Sequence, residues 1–148
     1  GDGAHLVGHS YGGLGALLYA RAHPREVAGV VVLAPYLGDE KVIAEIAAAG
    51  GLARWQPPAR PDPDDFERDI WSWLKGYSQP GADRPPLVLA WGEDDALAPA
   101  SRLLAAALPE DRVFTVAGGH DWPTWRALWQ RVVTSGALDP EAEEPPDR

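Results

Sequence analysis

The sequence predicts an α/β protein built on a parallel sheet of about four strands. Four short apolar runs alternate with segments whose apolar residues recur at the helical period. The second run, "VAGVVVLA", is continuously apolar and β-branched, which is typical of a strand buried on both faces of a parallel sheet. Because right-handed crossovers place helices over a parallel sheet, we expect a layered arrangement of helices and strands.

The predicted strands are expected to lie side by side in chain order. The first, "AHLVG", ends in a glycine and is interpreted as a short buried strand at one edge. Natural edges are usually short, charged or covered, so we expect an earlier strand to pair with this one in the complete protein. The four predicted strands are Ala4–Gly8, Val27–Ala34, Leu87–Trp91 and Arg112–Ala117.

Five helices are predicted between and after these strands. Pro24 ends the first, and Asp39 caps the second, which Gly50-Gly51 terminate. Asp121 is expected to be the N-cap of the last helix. The predicted helices are Tyr11–His23, Asp39–Ala49, Phe66–Tyr77, Pro99–Leu108 and a final segment beginning at Pro123.

Composition excludes several classes of function. A formal net charge of −9 argues against a surface for nucleic acid or anionic membranes. The absence of cysteine excludes disulfides, thiolate metal sites and a cysteine nucleophile, and no apolar run approaches the ~20 residues of a membrane span. The 148 residues suit one domain or part of one. Since the chain begins with Gly1 and has no methionine, we expect that its natural N-terminus is missing.

The sequence divides into a main portion, 1–138, and a short acidic tail, 139–148, which is expected to be disordered. Within the main portion, residues 37–86 are too many for a plain crossover and are interpreted as a small helical cap. Trp55, in a proline-rich connector, is a candidate for lining a substrate pocket beneath this cap. Alternatively, the tryptophans of this segment pack its helices onto the sheet.

The stretch Gly8-His9-Ser10-Tyr11-Gly12 has the pattern G-x-S-x-G between a predicted strand and a predicted helix. Glycines on both sides leave room for a sharp turn that lifts the serine hydroxyl above the carboxyl end of the strand. The Tyr11 N–H, at the helix start, would then point toward a developing oxyanion. His9 either lines the pocket or supports the turn.

Two later segments supply a carboxylate and an imidazole. Asp95 follows the third predicted strand, at the edge of the sheet where parallel sheets bind ligands, although Glu93, Asp94 and Asp95 also fit a solvated acidic loop. His120 follows the fourth strand and two glycines. The order Ser10, Asp95, His120, each after a predicted strand, favours a serine nucleophile with an acid and a base.

The segments "HLVGHSYGG", "GEDDALAP" and "GGHDW" resemble the α/β-hydrolase superfamily over residues 4–135, and the last resembles the histidine loop of esterases related to enterochelin esterases. The resemblance implies the C-terminal part of a three-layer α/β-hydrolase sheet. It also implies that Ser10 is the nucleophile, His120 the general base and Asp95 the orienting acid. No cofactor is expected, and because no histidine–carboxylate cluster has the spacing of metal ligands, no metal is expected either. The family's second oxyanion donor lies on an earlier loop, which this chain lacks.

These observations predict a serine hydrolase that cleaves a small-molecule carboxylic ester through an acyl-enzyme. One alternative is an acyltransferase or C–C hydrolase that uses the same three residues. Another is a non-catalytic α/β-hydrolase scaffold used for binding.

Overall fold

A four-stranded, wholly parallel sheet forms the centre of the computed structural model, which describes residues 3–60, 62–79 and 83–139. Its order, β1-β2-β3-β4, confirms the predicted order. The last part of the predicted acidic tail, 140–148, lies outside the described residues. The strands are β1 (Ala4–His9), β2 (Val27–Leu33), β3 (Leu87–Gly92) and β4 (Val113–Val116).

Five α-helices connect and follow the strands: α1 (Tyr11–Ala22), α2 (Glu40–Ala48), α3 (Phe66–Lys75), α4 (Ala98–Ala105) and α5 (Trp122–Thr134). Asp39 caps α2 as predicted, because its carboxylate accepts the Lys41 N–H at 3.4 Å. Helix α3 ends two residues earlier than predicted, since Gly76, a poor helix former, starts a 3₁₀ turn.

The alternating side chains of the inner strands divide the core between two faces of the sheet. Val30 and Val32 of β2 pack with α1 to α4 on one face, whereas Val31 and Leu33 pack with α5 on the other. Helices on both faces of a parallel sheet give three layers, as the sequence predicts. The cluster beneath α5 contains Val31, Leu33, Val88, Ala90, Leu128 and Val132.

The helices of residues 37–86 belong to the larger core cluster. The Trp71 indole N–H donates to the Leu37 carbonyl at 2.8 Å, which ties α3 to the chain that leaves β2. Trp55 is only 3% exposed, and its indole N–H donates to Glu45 at 3.0 Å. Trp55 thus packs within the larger core cluster, as the alternative of packing tryptophans expects, and its role in lining a substrate pocket stays a prediction. The cap over the active site stays a prediction.

Strand β1 is more exposed than its apolar sequence suggests. Ala4 and His5 are exposed and Val7 is 52% exposed, whereas Gly8 is buried. The expectation of a buried strand is therefore wrong for most of β1, while its position at the sheet edge is correct. An edge strand has a neighbour on one side alone, so its side chains lack the flanking contacts that bury β2 and β3.

Candidate active site

Ser10 occupies a strained turn between β1 and α1. Its φ of 54° and ψ of −124° lie in a region that L residues rarely adopt and that costs about 1–3 kcal/mol. The surrounding backbone holds it there: the Ser10 N–H donates to the Leu33 carbonyl at 3.1 Å, and the Ser10 carbonyl accepts the Tyr36 N–H at 2.9 Å. The turn therefore has the strain that the G-x-S-x-G pattern predicts.

Gly8 allows this turn to close. A Cβ at Gly8 would overlap the backbone carbonyl of Gly12, which cannot move without opening the first turn of α1. We expect Gly8→Ala to lower the free energy of unfolding by about 3 kcal/mol, at the upper end of ordinary overpacking. Thermal and urea unfolding measure this loss.

Gly15 provides the matched control for that prediction. It lies exposed within α1, and a Cβ there would meet no atom within 4 Å among the described residues. Gly15→Ala should raise stability by about 0.5–1 kcal/mol because alanine favours the helix. Equal stability changes for the two variants would contradict the role assigned to Gly8.

His120 bridges Ser10 and Asp95. Its Nε2 lies 3.0 Å from Ser10 Oγ, and its Nδ1 lies 2.7 Å from Asp95 Oδ2. Because an ionised carboxylate can only accept, these contacts assign the imidazole hydrogen to Nδ1 and leave Nε2 free to accept the serine hydroxyl. The structure thus brings together the three residues that the sequence singles out.

Both oxygens of the Asp95 carboxylate make hydrogen bonds. Its side chain has no solvent exposure, and Oδ1 accepts the Leu97 N–H at 2.8 Å while Oδ2 faces His120. The bond from Leu97 closes an Asx turn just before α4, whose N-cap is Leu97. The interpretation as a solvated acidic loop therefore holds for Glu93 and Asp94, which are exposed, and is wrong for the buried Asp95.

The segment between β4 and α5, which we call the histidine loop because it contains His120, crosses the carboxyl end of the sheet. Ser10 follows β1 at one edge and His120 follows β4 at the other, so the loop must return over β3 and β2 to reach the serine. Gly92, at the end of β3, makes room for this loop, because a Cβ there would overlap the Gly118 carbonyl. The histidine loop therefore packs against the carboxyl end of β3.

Two backbone hydrogen bonds connect the loop that carries Asp95 with the chain that leads to His120. The Glu93 N–H donates to the Val116 carbonyl and the Asp94 N–H donates to the Gly118 carbonyl, each at 2.9 Å. Asp95 and His120 therefore belong to one hydrogen-bonded unit at the carboxyl ends of β3 and β4.

Aromatic side chains surround the imidazole. Trp125, on α5, meets the His120 ring edge to face with 5.0 Å between centroids, and stacks on His9 at 4.4 Å. Trp122 contacts both His9 and Trp125 edge to face, at 6.0 and 6.1 Å. His9 is therefore linked to the His120 ring through Trp125, and its role in lining a pocket stays a prediction. The sequence did not single out Trp122 or Trp125 as site residues; their nearness to His120 in the chain was the available signal.

Two tyrosines lie next to the Ser10 turn: Tyr11 follows Ser10 directly, and the Tyr36 N–H donates to the Ser10 carbonyl. Tyr11 begins α1, so its N–H has no acceptor within the helix and is available to a ligand. The Tyr36 ring packs on the Tyr11 ring at 4.5 Å, and burial raises the pKa of the Tyr36 phenol, with Tyr11, Glu67 and Asp39 adding to the effect. Ala34, at φ 46°, turns the chain toward Tyr36.

Asp121 caps α5 and does not contact His120 through a hydrogen bond among the described residues. Its carboxylate accepts the Thr124 hydroxyl at 2.6 Å and the Thr124 N–H at 2.9 Å, and these bonds lower the pKa of Asp121. Since the pKa is lowered in the folded state, the stabilisation by this cap is lost as the pH falls through that pKa. Asp121 is thus an N-cap, as predicted.

Within the described ranges, no three histidine, aspartate or glutamate side chains are grouped so as to hold a metal ion. None of the helices in the same part of the chain is long and apolar enough to cross a membrane.

Comparison with known proteins identifies the fold. A family model described as the α/β hydrolase fold matches residues 1–68. The chain is similar in structure to a ferulic acid esterase, with a TM-score of 0.54 and 21% identity over 87% of this chain and 49% of that one. The chain therefore carries part of the α/β-hydrolase fold. No curated protein matches it significantly in sequence.

Two further solved structures show the same likeness. A predicted CIB-like hydrolase from Thermoplasma acidophilum has a TM-score of 0.53 and 18% identity over 93% of this chain and 51% of that one. An S-formylglutathione hydrolase from Staphylococcus aureus has a TM-score of 0.52 and 18% identity over 88% and 50%. The chain spans about half the length of each of the three structures.

Proposed function

We propose that this protein is a serine hydrolase that cleaves carboxylic esters through an acyl-enzyme. The observation that carries the proposal is the pair of contacts that His120 makes, to Ser10 Oγ at 3.0 Å and to Asp95 Oδ2 at 2.7 Å. The likeness to a ferulic acid esterase and to an S-formylglutathione hydrolase supports a hydrolase of this kind.

In the first half of the reaction, His120 Nε2 takes the Ser10 hydroxyl proton while Oγ attacks the ester carbonyl. The imidazolium that forms is stabilised by Asp95, whose buried carboxylate holds Nδ1–H in place. His120 then returns the proton to the leaving alkoxide, and an alcohol departs from the acyl-serine. In the second half, water is activated by the same nitrogen and releases the carboxylic acid.

The carbonyl oxygen gains negative charge in each tetrahedral intermediate. The Tyr11 N–H, at the N-terminus of α1, is the donor within this chain that would face that charge. The family resemblance implies a second donor from a loop after an earlier strand. The exposed edge of β1 lies beside the Ser10 turn, which suits the approach of such a segment in the complete protein.

Reaction with a fluorophosphonate probe tests the proposal directly. We expect the probe to form a phosphonyl ester on Ser10 in the full-length protein, which peptide mass spectrometry locates, because only an activated serine attacks phosphorus readily. Ser78, which is exposed and donates to the Lys75 carbonyl, should remain unlabelled. If neither serine is labelled, the result would favour the non-catalytic scaffold.

A competing alcohol separates hydrolysis from acyl transfer. Both reactions share the acyl-enzyme and differ in whether water or the alcohol accepts the acyl group. With dilute methanol present, a hydrolase should release mainly free acid. Predominant formation of the methyl ester would favour the acyltransferase alternative.

A further inference from the structure

The two most exposed large hydrophobic side chains in the described part of the chain flank the proposed nucleophile and base. Tyr11, next to Ser10, is 70% exposed, and Trp122, two residues after His120, is 60% exposed. The other exposed large hydrophobics, such as Trp129, lie between 36% and 52%. Large exposed aromatic surface beside reactive groups is typical of a binding site.

Trp122 is held in place by its neighbours. Its ring meets His9 at 6.0 Å and Trp125 at 6.1 Å, both nearly perpendicular, and the two neighbours stack on each other at 4.4 Å. We call His9, Trp122 and Trp125 the aromatic cluster. Because Trp125 also contacts the His120 ring, the cluster is continuous with the proposed base.

The chemistry of ester cleavage identifies which part of a substrate this cluster faces. The leaving alkoxide must take its proton from His120 Nε2, so the alcohol portion of the ester lies toward the imidazole. The carbonyl oxygen points toward the Tyr11 N–H instead. A group attached to the leaving oxygen is therefore the part of the substrate that can reach the aromatic cluster.

We propose that the aromatic cluster is a subsite for the alcohol portion of the ester and that it favours a neutral aryl group. This inference rests on the proposed ester hydrolysis. An aromatic ring gains edge-to-face or stacked contacts with the exposed face of Trp122, whose ring already contacts His9 and Trp125. The ionised Asp121 carboxylate beside Trp122 opposes alcohols that carry negative charge.

Three esters test the subsite. Benzyl acetate places an aryl ring on the alcohol, ethyl acetate has none, and methyl phenylacetate places the ring on the acyl group. We expect Trp122→Ala to lower kcat/KM for benzyl acetate by about tenfold, the scale of a lost aromatic pair. The other two esters should change by less than about twofold, within ordinary variation at a surface position. Ratios of variant to wild type cancel the intrinsic reactivity of each ester.

Two further variants make the test specific. Trp129→Ala removes another exposed tryptophan from α5, two turns from Trp122, and should leave all three rates unchanged. Trp122→Phe keeps an aromatic ring and should retain most of the preference for benzyl acetate. An equal loss for all three esters in Trp122→Ala would mean that Trp122 supports the histidine loop, and would overturn the subsite.

The outcomes also separate this inference from the proposed function. A greater loss for methyl phenylacetate than for benzyl acetate would place the ring-binding surface on the acyl side and would likewise reject the subsite, with ester hydrolysis intact. If Ser10→Ala left hydrolysis of all three esters unchanged, the proposed function itself would fail.

Discussion

Replacement of Ser10 by alanine is expected to lower the rate of ester hydrolysis by about 10⁶-fold, the scale for loss of a triad serine. Alanine cannot attack the carbonyl, and His120 has no hydroxyl proton to accept. The measurement is kcat with a short p-nitrophenyl ester on the full-length protein, together with loss of fluorophosphonate labelling. The fold should persist because the Leu33, Gly13 and Tyr36 hydrogen bonds to this turn use the backbone of residue 10.

Thermal unfolding of the Ser10→Ala variant supplies the control. Alanine meets the same strain as serine at φ 54°, so its melting temperature should lie close to that of the wild type. A folded variant that hydrolyses the ester at the wild-type rate would show that another residue is the nucleophile.

Asp95→Asn should lower kcat by about 10⁴-fold, the scale for a histidine held in the wrong tautomer. An amide at this position can donate to His120 Nδ1, which would move the ring hydrogen to Nε2 and leave no acceptor for the Ser10 hydroxyl. Steady-state kinetics with the same ester measure the loss.

Asp94→Asn and Asp121→Asn are the matched controls. Asp94 contacts the histidine loop through its backbone N–H, and Asp121 caps α5 through Thr124, so neither carboxylate orients the imidazole. Each should keep kcat within about tenfold of the wild type, although loss of the Asp121 cap should lower the stability of α5. A larger loss in Asp94→Asn than in Asp95→Asn would reject Asp95 as the orienting acid.

The sheet was predictable because its signals are local. The continuously apolar run that became β2 and the glycine pattern around Ser10 each reflect the requirements of a few adjacent residues. The alternation of strands with helices then fixed the strand order, since crossovers of one hand leave few topologies. The helix caps Asp39 and Asp121 were also predictable for the same reason.

Features that depend on distant contacts could not be predicted. The stacking of His9 on Trp125 joins residues at opposite ends of the chain, and periodicity along either segment carries no sign of it. The hydrogen bond from the Trp55 indole to Glu45 joins a proline-rich connector to α2, and the residues around Trp55 in the sequence do not indicate this partner. The sequence likewise does not indicate the positive φ of Ala34, because such angles are usually found at glycine or asparagine.

The span of the histidine loop across the sheet has a consequence for folding kinetics. Ser10 and His120 are 110 residues apart and follow strands at opposite edges, so their contact requires that all four strands have assembled. Contacts of such large sequence separation form slowly because loop-closure entropy opposes them. During refolding, helical circular dichroism should therefore recover before the serine becomes reactive, and serine reactivity marks the assembly of β1 to β4.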